Sequence, residues 1–173
     1  MTTQRTEGSL FTNIINGIAT VEFGHPASNS FPSVLLDRLT DELHQVSENR
    51  NVSVIILKSE GNSAFCAGAS FDELVTIDNL EDGKKFFSGF ANVINAMRTC
   101  SKIIIGSVQG KTVGGGVGLA AACDYVLATE AASIKLSELT IGIGPFVIEP
   151  AVTRKIGASS FSELALAATE WKT

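Results

Sequence analysis

Two segments of small residues, 61–70 and 110–118, are places where backbone could come close to a ligand. The second holds Gly114, Gly115, Gly116 and Gly118. Residues without side chains let a ligand reach main-chain N–H groups, and a helix starting there adds a dipole that favours negative charge. Each segment follows a β-prone apolar run, so each can supply one N–H to the same oxyanion, the arrangement that stabilises charge developing on a carbonyl oxygen. Taken alone, the glycines better suit a tight strand-to-helix connection with close backbone packing.

Other glycine chemistries fit less well. Gly110, Lys111 and Thr112 look like the end of a phosphate-binding P-loop, but that motif needs a glycine where Ile105 stands and a helix directly after the Lys-Thr pair. Gly116, Val117, Gly118, Leu119, Ala120 and Ala121 satisfy a loose dinucleotide fingerprint, with Glu138 roughly where a ribose-binding acid belongs. In that fingerprint the first glycine ends the strand, whereas here residues 109–115 intervene after an apolar run ending near Val108. Cys66, Cys100 and Cys123 are odd in number and irregularly spaced, and His25 and His44 form no ligand-spaced cluster, so neither a disulfide framework nor a zinc site is expected.

The elements that must position the glycine segments follow from periodicity. Residues 10–15 and 18–23 are β-prone and are separated by Asn16 and Gly17, a pair suited to a type I′ hairpin turn. Pro32 suits a first helical turn, and Leu35, Leu36, Leu39, Leu43 and Val46 recur at helical spacing up to Asn49. Residues 52–57 read as a strand buried on both faces. Residues 80–98 read as a helix with Phe86, Phe87, Phe90, Val93, Ile94 and Met97 on one side. Residues 103–108 are strand-like, 119–123 suit a short buried helix, 125–128 and 133–136 are candidate strands, and 150–171 read as a helix with Phe161, Leu164, Ala165, Ala168 and Trp171 on a common face. The alternation predicts a single α/β domain with helices covering sheets.

Bulk properties narrow the partners. The 173 residues suit one domain, and 45% hydrophobic with 18% charged residues is a globular composition. A formal net charge of -5, with basic pairs only at Lys84-Lys85 and Arg154-Lys155, argues against nucleic acid. The polar N-terminus and the lack of a long apolar run predict a cytoplasmic protein without a membrane partner.

Four features resemble the crotonase, or enoyl-CoA hydratase and isomerase, superfamily in their order and spacing. They are residues 25–29 beginning His25-Pro26; residues 64–69, with Cys66, Gly68 and Ala69; residues 114–124, ending at Asp124; and Leu136-Ser137-Glu138 followed by Gly142 and Pro145. The resemblance implies a spiral of strand-strand-helix turns. It implies that the N–H groups of Ala69 and Gly115 hold a thioester oxygen, that Ala67 meets the adenine of coenzyme A through its backbone, and that Ser28 lines the same groove. Coenzyme A would belong to the acyl-CoA substrate, and no prosthetic group is implied.

Glu138 matches the second of two glutamates that hydratases of the family use, and its apolar neighbours Leu136, Leu139 and Ile141 would raise its pKa toward acid-base work. The first glutamate of that pair falls at Gly118. Members with a single glutamate include enoyl-CoA isomerases, while others with glycine there resemble branched glutaconyl-CoA hydratases, in which a substrate carboxyl could help hold water. Glu149 is a possible replacement carboxylate, better suited to a helix start, and Ser70 stands where an aspartate is common. Complete members continue into helices that close the acyl pocket and build a trimer, sometimes stacked into a hexamer, so the resemblance implies a core domain without that segment. A catalytically weak acyl-CoA-binding or assembly protein is the alternative.

Overall fold

In the computed structural model, which describes residues 7–173, the chain opens with an antiparallel hairpin of β1 (Ser9–Ile15) and β2 (Ile18–Gly24). Asn16 (φ 51°) and Gly17 (φ 82°) both take the positive φ that the turn requires. β2 pairs in parallel with β3 (Val54–Ser59), β3 with β5 (Ile103–Val108), and β5 with β7 (Tyr125–Ala128), giving a sheet in the order β1-β2-β3-β5-β7. A second, smaller sheet is made of three-residue parallel strands, β4 (Ala64–Cys66), β6 (Lys111–Val113) and β8 (Ser133–Lys135), in the order β4-β6-β8.

Helices α1 (Ser33–Glu48), α2 (Phe71–Leu74), α3 (Leu80–Thr99), α4 (Gly115–Ala122) and α5 (Glu149–Leu166) complete the fold. After the opening hairpin, each turn of the chain places one strand in the large sheet, the next in the small sheet, and then a helix. This is the spiral of strand-strand-helix turns that the resemblance implies.

The core forms because the helical stripes face inward. Leu35, Leu36, Leu39, Leu43 and Val46 of α1 are buried, as are Phe86, Phe90, Val93, Ile94 and Met97 of α3. Each such side chain contributes ~2 kcal/mol on burial. Four phenylalanines join the layers: Phe23 of β2 lies against Phe31 at 4.8 Å with the rings tilted by 46° and meets Phe65 of β4 edge-on at 5.4 Å, and Phe31 meets Phe90 of α3 at 5.7 Å.

Several elements depart from the periodicity. β3 starts at Val54, and its residues alternate between buried and half-buried, so it is covered fully on one face only. β4 and β6 lie inside the small-residue segments. Gly110, Lys111 and Thr112 therefore enter an extended strand, the wrong backbone for a P-loop. α4 begins at Gly115, four residues before the first non-glycine, non-valine position of the expected helix at Leu119.

The last helix is shorter than the stretch 150–171. It is broken at Gly157 (φ 81°) and ends at Leu166. Leu164, Ala165 and Ala168 are buried, whereas Trp171 has left the helix and lies under the Lys111 and Lys135 ammonium groups at 5.2 and 4.6 Å. There Lys172 and Ile134 exchange backbone hydrogen bonds of 3.0 and 2.8 Å, an added rung at the edge of the small sheet.

Asn29 anchors the entrance to β4. It is buried at φ 57°, accepts from the His25 N–H through Oδ1, and donates Nδ2 to Glu60 O and Ala64 O, both at 2.8 Å. Ala64 O also accepts from Gln109 Nε2, so Glu60 O depends more on Asn29. Asn29→Ala should lower stability by ~1–3 kcal/mol, because it removes the hydrogen bonds of a buried side chain to Glu60 O and Ala64 O and a residue type that tolerates positive φ. A urea midpoint equal to that of the parent protein would show that these bonds carry no weight.

Candidate active site

The parallel order of the small sheet brings the chemistry-bearing segments together. β4, β6 and β8 run the same way, so the segments that follow them, at Ala67–Ser70, at Gly114–Gly115 and at Ser137–Glu138, emerge along one edge. They share a cavity of about 180 Å³ lined by Ala67, Gly68, Ala69, Gly114, Gly115, Ser137 and Glu138. Its remaining wall is apolar: Phe71 and Leu74 come from α2, Phe86, Phe87 and Phe90 from α3, and Ile141, Ile143, Pro145, Val147 and Ile148 from the chain leading into α5.

The two expected main-chain donors are set up by different local rules. Phe31 pairs with Ala69 as an isolated parallel bridge, in which Phe31 N–H donates to Gly68 O and Ser70 N–H donates to Phe31 O, each at 2.8 Å. That pattern uses the neighbours of Ala69 and turns its own N–H away from Phe31. Gly115 is the first residue of α4, where an N–H has no partner within the helix.

The segments approach closely. A Cβ built on Gly68 would lie 3.5 Å from Gly115 N, one on Gly115 would lie 2.6 Å from the Phe90 ring, and one on Gly116 would lie 2.7 Å from Cys66 Cβ. Side chains at 115 and 116 would therefore push α4 off β4 and α3.

Glu138 faces the same cavity at the start of a 3-10 turn, Glu138–Ile141. Gly114, at φ 54°, gives it room, since a Cβ there would stand 3.1 Å from Glu138 Oε1. Glu138 Oε2 is buried and has no hydrogen-bond partner among the described residues. Burial pushes the Glu138 pKa above the ordinary carboxylate value, with the backbone N–H of Glu138 itself acting weakly in the opposite direction.

Of the five expected site residues, Ala67, Ala69, Gly115 and Glu138 line this cavity together. Ser28 does not. It is exposed at φ 54° beside a second, more polar cavity with Ser9, His25, Asn29, Glu60 and Ser63. Ser28 is tied to the first by its carbonyl, which accepts from Ala67 N–H at 3.2 Å. That bond occupies the Ala67 donor, so the carbonyl oxygen is what Ala67 can offer a ligand.

Nearby polar residues have structural work. Glu149 is exposed at the first position of α5 and does not line the cavity, as expected of a helix-start acid. Ser70 caps α2 by accepting from Glu73 N–H at 3.3 Å, and Glu73 in turn accepts from Ser33 N–H and Oγ, fastening α2 to the start of α1. Asp124 Oδ2 accepts from Ile104 N–H at 2.8 Å, holding α4 to β5. Burial pushes the Cys66 and Cys123 thiols up to about 12, so neither is a ready nucleophile.

The aromatic wall was only half visible in sequence. Phe86 and Phe87 are adjacent on α3 and cannot point the same way, a sign that one of them serves something other than the core. Ile148 gave no sequence signal at all. Among the described residues no group of His, Cys, Asp and Glu could hold a metal ion, and no helix is long and apolar enough to cross a membrane.

Comparison with known proteins agrees with this fold. The family model for enoyl-CoA hydratase/isomerase matches residues 13–173. A Bacillus subtilis (strain 168) protein named "Probable enoyl-CoA hydratase" is 30% identical over 148 residues, covering 85% of this chain and 57% of that protein. The "Ethylmalonyl-CoA decarboxylase" of Xenopus tropicalis is 27% identical over 144 residues, covering 82% of this chain and 48% of that protein. The chain thus spans about half the length of the curated relatives it matches. The crystal structure of an enoyl-CoA hydratase from Bacillus anthracis superposes with a TM-score of 0.85 at 28% identity, over 94% of this chain and 63% of that one. By motif order, strand topology and family match, the chain belongs to the enoyl-CoA hydratase/isomerase, or crotonase, family.

Proposed function

We propose that the protein binds an acyl-CoA thioester, holds its carbonyl oxygen between the N–H groups of Ala69 and Gly115, and moves a proton with Glu138. The observation that carries this reading is the meeting, in one apolar cavity, of Ala69 and Gly115, which follow separate strands, with Glu138, whose buried Oε2 has no hydrogen-bond partner among the described residues. Taking a proton from the carbon next to a thioester carbonyl puts negative charge on the oxygen. Fixed donors aimed at that oxygen in a water-poor site lower the barrier by ~3 kcal/mol each.

Coenzyme A is part of the substrate in this proposal, with Ala67 and Ser28 along its path and no prosthetic group required. A catalytically inert binder would have no use for a carboxylate held at a desolvation penalty. A substrate carboxyl acting in place of the missing second glutamate finds little support, because no Lys, Arg or His lines the cavity among the described residues. Homo-oligomeric assembly belongs to the same proposal, and sedimentation reads it out.

The donors can be removed singly. Ala69→Pro deletes an N–H that the Phe31 bridge does not use, and Gly115→Pro deletes one at a helix position that accepts proline, although its ring must displace Phe90. Each folded variant should lose ~10²- to 10³-fold in kcat. Undiminished turnover by a variant with a native circular dichroism spectrum would remove that residue from the oxyanion site.

Glu138→Gln should lower turnover ~10²- to 10⁴-fold with little change in coenzyme A affinity. The parent rate should rise with pH through a midpoint above that of an ordinary glutamate, since burial favours the protonated form and the base must be ionised. Stability should run the other way. Below the unfolded-state pKa, Glu138 is neutral in both states and Gln brings no advantage. As pH rises past that value the unfolded chain ionises first, so the parent loses stability relative to Glu138→Gln until the folded group ionises too. A melting-temperature difference between the two proteins that does not change with pH would mean that Glu138 is not desolvated.

A further inference from the structure

Gly118 is not an unfilled place in the site. It is buried in α4, and a Cβ added there would run into Ile148 Cγ2, stand 2.6 Å from Ile148 Cβ and lie 3.3 Å from Ile94 Cδ1. Ile148 is 3% exposed, lines the cavity that holds Glu138, and has its backbone fixed at the start of α5, where its carbonyl accepts from the Ala151 and Val152 N–H groups at 3.1 and 3.0 Å. A β-branched side chain on so constrained a backbone has few rotamers to retreat into. The volume that a side chain at 118 would need is already occupied by hydrocarbon.

We propose that Ile148 sets the reaction specificity of this site: its side chain occupies the space in which a second carboxylate on α4, and the water it would hold, must stand, so the site moves a proton and does not add water. The inference rests on the acyl-thioester reading above. For double-bond migration one carboxylate is enough. Glu138 takes a proton from the carbon beside the carbonyl, the C–H electron pair enters the dienolate, and the protonated Glu138 returns that same proton to the far end of the dienolate as the double bond shifts. No other atom or electron is gained or lost.

Hydration needs more. A water oxygen must bond to the β-carbon while a proton reaches the neighbouring carbon, and some group must hold that water. Over Gly118 the surfaces of Ile148 and Ile94 fill the space and offer that water no hydrogen bond.

Two measurements separate this inference from the functional reading beneath it. The first is a stability cycle. Gly118→Ala should lower the melting temperature in the parent and lower it much less when residue 148 is changed by Ile148→Ala. Equal losses in both backgrounds would overturn the packing premise whatever the substrate is.

The second is the ratio of water addition to double-bond migration, read with 2-enoyl- and 3-enoyl-CoA thioesters of one chain length. In the parent, migration should dominate. The pair Gly118→Glu with Ile148→Ala should raise the hydration-to-migration ratio ~10²-fold, the scale of one positioned acid or base, and Gly118→Glu alone should not. A parent that hydrates as fast as it isomerises, or a Gly118→Glu protein whose ratio equals that of the pair, would overturn the role of Ile148. Inactivity of the parent on both thioesters would overturn the functional reading and this inference with it, and the stability cycle would still judge the packing.

Discussion

Parallel pairing of β4, β6 and β8 is the constraint on which the site depends. Neighbouring strands lie ~5 Å apart, and when they run the same way their C-terminal ends meet along one edge. The residues that follow them are then forced into contact range although they lie far apart in the chain: Ala69 after β4, Gly115 after β6 and Glu138 after β8. Strands of three residues could not hold this arrangement alone. They are held because each is the second strand of a turn whose first strand sits in the large sheet, and because Phe65 of β4 is locked into the cluster with Phe23, Phe31 and Phe90. Glycine at 110 and 116 lets the backbones approach, since a Cβ at either position would strike Ser63 or Cys66.

How much of this was legible in the sequence follows from what periodicity can carry. α1 and α3 were readable because each repeats its apolar pattern over enough residues to fix a period of about 3.6, the hairpin because Asn16-Gly17 marks its turn, and β5 because it opens on a run of β-branched residues. β4 and β6 were hidden because three residues hold no period, and their small side chains read as loop. α4 was misplaced because Gly115, Gly116 and Gly118 disfavour helix by propensity, yet close packing against Phe90, Cys66 and Ile148 requires the absence of side chains there. The end of α5 was overrun because the two lysines around Trp171 act through tertiary contacts, and the break at Gly157 is a single left-handed residue inside an otherwise helical stretch.

The candidate site was legible where the cavity is lined by backbone-rich segments and illegible where it depends on shape. Glycine segments announce main-chain chemistry, and Glu138 stands out as an acid among apolar residues. Ile148 is one apolar residue in an apolar stretch and carries no pattern. Asn29 is similar: its effect lies in donating to Glu60 O and Ala64 O across a gap in sequence that no local rule spans.

The apolar wall has two consequences with one cause. Removing water from around Glu138 raises its pKa, and filling the space over Gly118 keeps a second carboxylate out of the same low-dielectric volume. A second acid there would disfavour ionisation of the first, because like charges at short range cannot both be held without partners. Main-chain N–H donors, by contrast, do not titrate, so the proposed stabilisation of substrate charge is present at every pH at which the fold stands. Among the described residues lining this cavity Glu138 is the one that titrates, so in the proposed reaction the protein's contribution to pH dependence falls on it. In the proposed reaction a single carboxyl both accepts and returns the proton, which limits the chemistry to atoms within its reach and makes the cavity's shape, and Ile148 within it, part of the proposal.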